Sequence, residues 1–358
     1  KSATEHGLAD ILTEVVLMDR MPLTFNALVV EYTTHCTARC AMCYQAAGPK
    51  GSDILSSARL SEDTIRRLVR EARSIESLEP RFHITGGEAF IDEDMLLRMV
   101  AFARDEGFST LTTTTNAFWA AKPERALALC RSARQAGLTG MEISWDHWHR
   151  PFVDAEAVSN CLDACAATGI DANLRILSTR SHSYAEALAL IRPDSLAKVG
   201  SVTCAPVHPT GRASRELDLD DVYHQGTLDD TCHSVLNLTV NARGDVSPCC
   251  AGLDQLSSYR FGNVGERPLH DIAERLNRSP IIRMLVFRGV RHLLAAMKEA
   301  GVEVEGDYRG ICHLCWSIFS DPAHVEALET AMRERRRGAI GAAIARLRDA
   351  AAVQGVPQ

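Results

Sequence analysis

From residue 28 onward, short apolar runs alternate with segments whose apolar positions recur at helical spacing. The runs 28–32, 81–85, 109–115, 140–145, 172–177 and 201–206 read as β-strands, and 61–76, 92–106, 123–136, 155–168 and 183–191 as amphipathic helices. The first helix opens at Ser61, a good N-cap, and carries Ile65, Leu68, Val69 and Ala72 on one face. Strand–helix alternation of this kind makes an α/β protein with a parallel sheet and right-handed crossovers. In barrels built this way, chemistry sits at the carboxyl ends of the strands. Later the pattern changes. Residues 236–240 followed by Ala242-Arg243-Gly244-Asp245 read as a β-hairpin, and 269–311 as two helices. Asp321-Pro322 opens a last helix that runs to about residue 351. Its arginine cluster at 333–337 is a solvated face or a docking point for an acidic peptide leader.

A chain of 358 residues is long enough for one large barrel and a smaller domain. Its 46% hydrophobic and 24% charged content is ordinary for a globular protein. A net charge of −7 argues against general nucleic-acid binding. No apolar run approaches a membrane span and no signal-peptide pattern precedes the first strand, so a cytoplasmic protein without a membrane partner is expected. Twelve cysteines are the departure. Cys130, Cys161, Cys165 and Cys204 fall singly or in apolar patterns and read as buried free thiols. The others form two groups.

The first group is Cys36, Cys40 and Cys43, placed directly after the first strand. Three thiols in one strand-to-helix loop suit an iron–sulfur cluster. They leave one iron of a four-iron cluster open for a substrate or cofactor. Disulfides between adjacent loop thiols are disfavoured in a reducing compartment, and a zinc knuckle fits this spacing poorly. The pattern C-x3-C-x2-C resembles the signature of radical S-adenosylmethionine (SAM) enzymes. That resemblance implies a [4Fe–4S] cluster on Cys36, Cys40 and Cys43, with SAM chelating the fourth iron. It also implies a 5′-deoxyadenosyl radical that abstracts hydrogen from substrate, and a flavodoxin- or ferredoxin-type electron donor. The expected fold is an open, partial (β/α)6 barrel of the TIM type. Where that family usually has an aromatic residue against adenine, this chain has Met42.

Several strand ends extend the resemblance. Thr85-Gly86-Gly87-Glu88 follows the second strand; two glycines allow close backbone approach to a ligand, and the carboxylate can receive an ammonium group. The run resembles the family's motif for the SAM amino group, although Ala89 replaces its usual proline. Asn116 and Ser144 resemble its ribose contacts. Arg175 either pairs with the SAM carboxylate or forms an ion pair. Pro209-Thr210-Gly211-Arg212-Ala213 resembles a turn common in the subfamily named below. In the loop Asp146–Phe152, Asp146 and His149 either act as acid and base or on a substrate polar group, or only shape the pocket.

The second group is Cys232, Cys249, Cys312 and Cys315, with Cys250 beside it. A hairpin brings Cys232 and Cys249 together, and the later C-x2-C can complete a four-thiolate site for either a cluster or zinc. The spacing Cys232-x11-Gly244-x4-Cys249 with a Gly-Asn-Val turn resembles the SPASM/twitch extension of radical SAM enzymes. That implies a small α+β domain with one auxiliary [4Fe–4S] cluster, since too few cysteines are present for two. Cys250 is then a hydrogen donor to a substrate radical, a buried neighbour, or the ligand in place of Cys249. The expected divisions are 1–24, an N-terminal extension; 25–222, the partial barrel; 223–320, the auxiliary cluster domain; and 321–358, the C-terminal helix. The resemblance implies modification of an unactivated C–H bond, by crosslinking, epimerisation or oxidation of a ribosomally made peptide. With only about 25 residues before the first strand, no separate peptide-recognition domain is expected. A small-molecule (amino-sugar or cyclitol) dehydrogenase or epimerase is therefore the competing reading, and a non-enzymatic zinc or iron–sulfur protein the reading of another class.

Overall fold

The computed structural model describes residues 21–225, 231–232, 234–256, 258–304 and 306–353. The expected stretch 1–24 therefore lies almost wholly outside the described residues. Among the described residues nine strands form one sheet in the order β6-β5-β4-β3-β2-β1-β7-β8-β9. The first six are β1 (Ala27–Glu31), β2 (Arg81–Thr85), β3 (Thr110–Thr115), β4 (Gly140–Ser144), β5 (Asp171–Ser178) and β6 (Ser201–Pro206). Each pairs in parallel with its sequence neighbour. The crossover helices Glu62–Arg73, Glu93–Asp105, Pro123–Ala136 and Ala155–Thr168 lie within two residues of the expected limits, apart from an earlier stop of the first. Tyr184–Leu188 is shorter than expected.

Local chemistry fixes these limits. Ser61 Oγ accepts the Thr64 N–H at 3.2 Å, and Ile65, Leu68, Val69 and Ala72 are buried, as their spacing predicts. Ser61→Ala is expected to cost ~1 kcal/mol, read as a lower midpoint of chemical denaturation. Strand β3 alternates, with Leu111, Thr113 and Thr115 buried. Cys130, Cys161 and Cys165 are buried, the last two against Met141 of β4, but Cys204 is exposed. The correction has a topological cause: Cys204 lies on β6, which closes against nothing and is an edge.

The hairpin of β7 (Asn237–Val240) and β8 (Asp245–Ser247) does not stand apart from the barrel sheet. β7 adds in parallel to β1, with Ala27 opposite Asn237 and Val30 opposite Val240, and β9 (Gly262–Asn263) follows β8 antiparallel. The sheet stays open. Three helices, not two, fill the stretch before the C-x2-C: Leu269–Asn277, Pro280–Phe287 and Val290–Glu299. Ser279 followed by Pro280 caps a new helix where one continuous segment was read. Ile311–Phe319 then carries Cys312 and Cys315, and Pro322–Val353 ends the described chain. Among the described residues no helix is long and apolar enough to cross a membrane.

Candidate active site

The carboxyl ends of the parallel strands open into a cavity of about 560 Å³, and β7, β8 and the helix at 311–319 close its other side. All seventeen site residues named from the sequence line it. Site residues up to 279 positions apart in the chain, Cys36 and Cys315, share this one space only because β7 docks on β1.

The loop after β1 is held by its own backbone and by one arginine. Cys36 N–H donates to Gly48 O at 3.0 Å, and Cys43 N–H to Cys40 O at 3.2 Å. Arg212 is 0% exposed. Its guanidinium donates to Cys40 O and Ala47 O at 2.8 Å each, to Ala46 O, and to Asp53 Oδ2 at 2.7 Å. Its backbone N–H donates to Cys43 O at 2.9 Å. Gly211, at φ +60°, lets this turn approach, since a Cβ there would stand 1.9 Å from Tyr44 O. The turn at 209–213 was noticed in the sequence as a resemblance; its work as a clamp on the cysteine loop is visible only in space.

Cys36 and Cys40 are buried and Cys43 is half-buried. Burial, then the charge of Glu88, pushes the Cys36 thiol well above its ordinary range, and burial, then Cys40, raises Cys43. Buried sulfurs that oppose each other's ionisation are the donor set a cationic iron centre stabilises, because binding supplies the missing positive charge. The site fits a cluster. Met42 is buried on the same wall.

The Gly-Gly-Glu run also packs against the protein itself. The glycines make their close approach to the β1 extension: a Cβ on Gly87 would meet His35 O at 2.2 Å, and one on Gly86 would meet Thr33 O at 2.7 Å. Gly87 N–H and Glu88 N–H donate to Thr33 O and His35 O at 2.7 and 2.9 Å, which fastens β2 to the start of the cysteine loop. The Glu88 carboxylate is already engaged. It accepts from Phe90 N at 3.0 Å, Thr115 Oγ1 at 2.8 Å and Asn116 N at 2.8 Å. It is 2% exposed, and burial lifts its carboxyl above the ordinary range. An ammonium group would be an added partner for it.

Asn116 Nδ2 donates to Thr37 Oγ1 at 3.2 Å and lies 3.8 Å from Cys36 Sγ, so the end of β3 also braces the cysteine loop. Arg175 forms an ion pair with Glu142 at 3.5 Å inside the cavity wall, with Ser144 on the same strand end. His208 lines the cavity too and escaped the sequence reading, because a lone histidine carries no pattern. Burial, then Arg175, holds it near pKa 4 and neutral. In the loop after β4, Asp146 Oδ1 accepts from Trp148 N at 3.1 Å and from His149 Nδ1 at 2.8 Å. Asp146 thus shapes the loop and orients His149, which faces the cavity. Burial opposes charge on His149, but Asp146, followed by Cys40, raises its pKa well above the usual value.

On the opposite element set, Cys249 and Cys250 follow β8, Cys312 and Cys315 sit in the first turns of their helix, and Cys232 N–H donates to Leu285 O at 3.0 Å. Burial raises the Cys249 and Cys315 thiols, and burial with Cys232 pushes Cys312 up to about 12. The same donor-set argument applies to these four. Cys250 is only partly covered and lines the cavity beside them. Among the described residues no three such side chains converge on a single-ion site.

The chain resembles known proteins in both of its parts. Residues 232–316 match SPASM, an iron–sulfur cluster-binding domain. The chain is 21% identical over 299 residues to YydG of Bacillus subtilis (strain 168), a protein named for peptide biosynthesis, covering 81% of this chain and 91% of that one. The solved structure titled native anSMEcpe with bound AdoMet superposes with a TM-score of 0.52 at 12% identity, covering 89% of this chain and 99% of that one. At that identity the likeness shows the fold.

Proposed function

We propose that this chain, a SPASM-type radical SAM enzyme, inverts a residue of a ribosomally made peptide. The observation that carries the reading is Cys250, a thiol left over from a four-cysteine set and lining the same cavity as Cys36, Cys40 and Cys43. The name of YydG supports a peptide substrate. In this reading Cys36, Cys40 and Cys43 would hold a [4Fe–4S] cluster that binds SAM, and Cys232, Cys249, Cys312 and Cys315 would hold one auxiliary [4Fe–4S] cluster. Together these groups, when bound, supply abstraction of a hydrogen atom from carbon.

The chain's own residues do the rest. Ser144, Asn116 and Arg175 offer polar contacts to SAM, with Gly86, Gly87 and Glu88 beside them and Met42 on the wall. His149, oriented by Asp146, holds a polar group of the peptide. Cys250 gives its hydrogen atom to the α-carbon radical of the substrate: the S–H bond breaks, the C–H bond forms, and the configuration inverts. One electron from a flavodoxin- or ferredoxin-type donor and one proton restore the thiol. Inversion is redox-neutral, unlike crosslinking or oxidation, and it alone of the three needs such a donor.

The test incubates reconstituted enzyme, SAM and dithionite in D2O with a library of linear all-L peptides. The expected product carries one deuterium at an inverted α-carbon. Cys250→Ala is expected to keep deoxyadenosine formation and lose inversion at least ~100-fold. A product two mass units lighter, or an undiminished Cys250→Ala enzyme, sinks this reading.

A further inference from the structure

Strand β1 ends in a buried acid that none of these steps uses. Glu31 and Asp254 are each 2% exposed, and Asp254 sits in the helical turn Leu253–Gln255, just past Cys249 and Cys250. One amide lies between them: Gln255 Nε2 donates to Glu31 Oε2 at 3.1 Å and also to Asp254 Oδ2. Glu31 Oε1 accepts from Tyr44 Oη at 3.0 Å, and Asp254 Oδ1 from Gly252 N at 3.1 Å. All of these donors are neutral. Two carboxylates this close and this deep oppose each other's charge. Burial, then the charge of Asp254, accordingly raises the Glu31 carboxyl well above its ordinary range.

The same amide carries a second, independent sign of a ligand. Gln255 is 3% exposed, and its Oε1 has no hydrogen-bond partner, although a buried carbonyl oxygen left unpaired is costly. Its nitrogen stands between the two acids, and half a turn of the amide about its last side-chain bond puts the oxygen there instead. Three oxygens then converge on one point, which is repulsive unless a cation occupies it. Gln45, whose amide also reaches Glu31, lines the small pocket around Glu31 and Gln255 together with Thr33, Leu55 and Ala242.

We propose that Glu31, Asp254 and Gln255 hold one divalent cation of the calcium class, which ties the end of β1 to the loop after β8. Charge selects a divalent ion, because two carboxylates around it leave no net buried charge. Hard oxygen donors select calcium or magnesium over the metals that prefer sulfur, so the cysteines do not compete for it. Each carboxylate can offer two oxygens, Gln255 Oε1 adds another, and Gln45 is within reach to complete the set. Magnesium keeps several waters, and a pocket walled by Leu55 and Ala242 has no room for them, so calcium is the better fit. Through Gln45 the ion also fastens the end of the cysteine loop. Its role is structural, and it stands whichever reaction the cavity performs.

The test passes the full-length, iron-reconstituted enzyme over a calcium-chelating resin and titrates it with calcium chloride alone. Equilibrium dialysis with radioactive calcium is expected to find about one tight ion per chain, and saturation to raise the melting temperature by roughly 5 °C at constant iron content. Glu31→Gln and Asp254→Asn are each expected to weaken calcium binding at least ~100-fold and to melt at one temperature with or without the ion. Gln255→Leu keeps both acids and removes only the neutral oxygen; it is expected to bind about 10-fold more weakly, and it decides alone if the acid variants fail to fold. A pair that merely shares a proton predicts a wild-type melt that calcium does not move, and that result overturns the proposal. Calcium bound equally by wild type and all three variants is adventitious and overturns it as well. Potassium chloride that reproduces the whole shift without calcium overturns the divalent assignment.

Discussion

Replacing Cys36, Cys40 and Cys43 together by alanine is expected to remove about four irons per chain and all deoxyadenosine formation. The three sulfurs line one cavity wall in a loop whose backbone is fixed from outside, by Arg212 and by the β2 end. Alanine therefore removes the ligands without removing the supports of the loop. The companion variant Cys312→Ala with Cys315→Ala is expected to lose a similar amount of iron from the other side of the cavity while still cleaving SAM. Iron and sulfide assays with deoxyadenosine chromatography separate the two. Full iron in the triple variant would falsify the assignment of these cysteines, and loss of all iron in either variant would show that the two sites are not independent.

Arg212→Leu is expected to destabilise the fold by roughly 3–5 kcal/mol, the scale of several buried backbone carbonyls left without donors, while Asp53, the partly exposed ion-pair partner, is left to solvent. The guanidinium serves three backbone carbonyls and Asp53 at once, and a leucine leaves those carbonyls buried without donors. Its loss also frees the Cys40 carbonyl, so iron retention falls with stability. Lysine restores the charge but not the planar fork, and is expected to recover only part of either quantity. Gly211→Ala offers a second route to the same failure, because its methyl group would sit on the Tyr44 carbonyl. Thermal unfolding and iron content of Arg212→Leu, Arg212→Lys and Gly211→Ala test this. Wild-type values in all three would mean the turn at 209–213 is not what holds the cysteine loop.

The elements were readable because their signals are local. Alternating apolar runs, a serine before a helical stripe, and a proline after a capping aspartate each act within a few residues. So β2 and β6 fall at the expected limits, as do the helices 123–136 and 155–168. The three-cysteine spacing was equally local, and so were the pairs Cys249-Cys250 and Cys312-x2-Cys315. Misreadings came where the controlling partner is distant. Cys204 looked like a core thiol until its strand proved to be an edge. The packing of Gly86 and Gly87 against Thr33 and His35 likewise left no trace in the sequence. Neither did the three donors that the Glu88 carboxylate accepts from.

By itself, then, the sequence determined which residues carry chemistry: two sets of thiols, a spare one, and polar groups at the ends of parallel strands. What only the tertiary structure decided is that these share a single cavity. It also decided that Arg212 grips the cysteine loop and that Glu31 and Asp254 face each other. The reason is the β1–β7 pairing, which joins positions more than two hundred residues apart. A contact of that reach leaves no periodicity in the chain, since each partner's neighbours in sequence are indifferent to it.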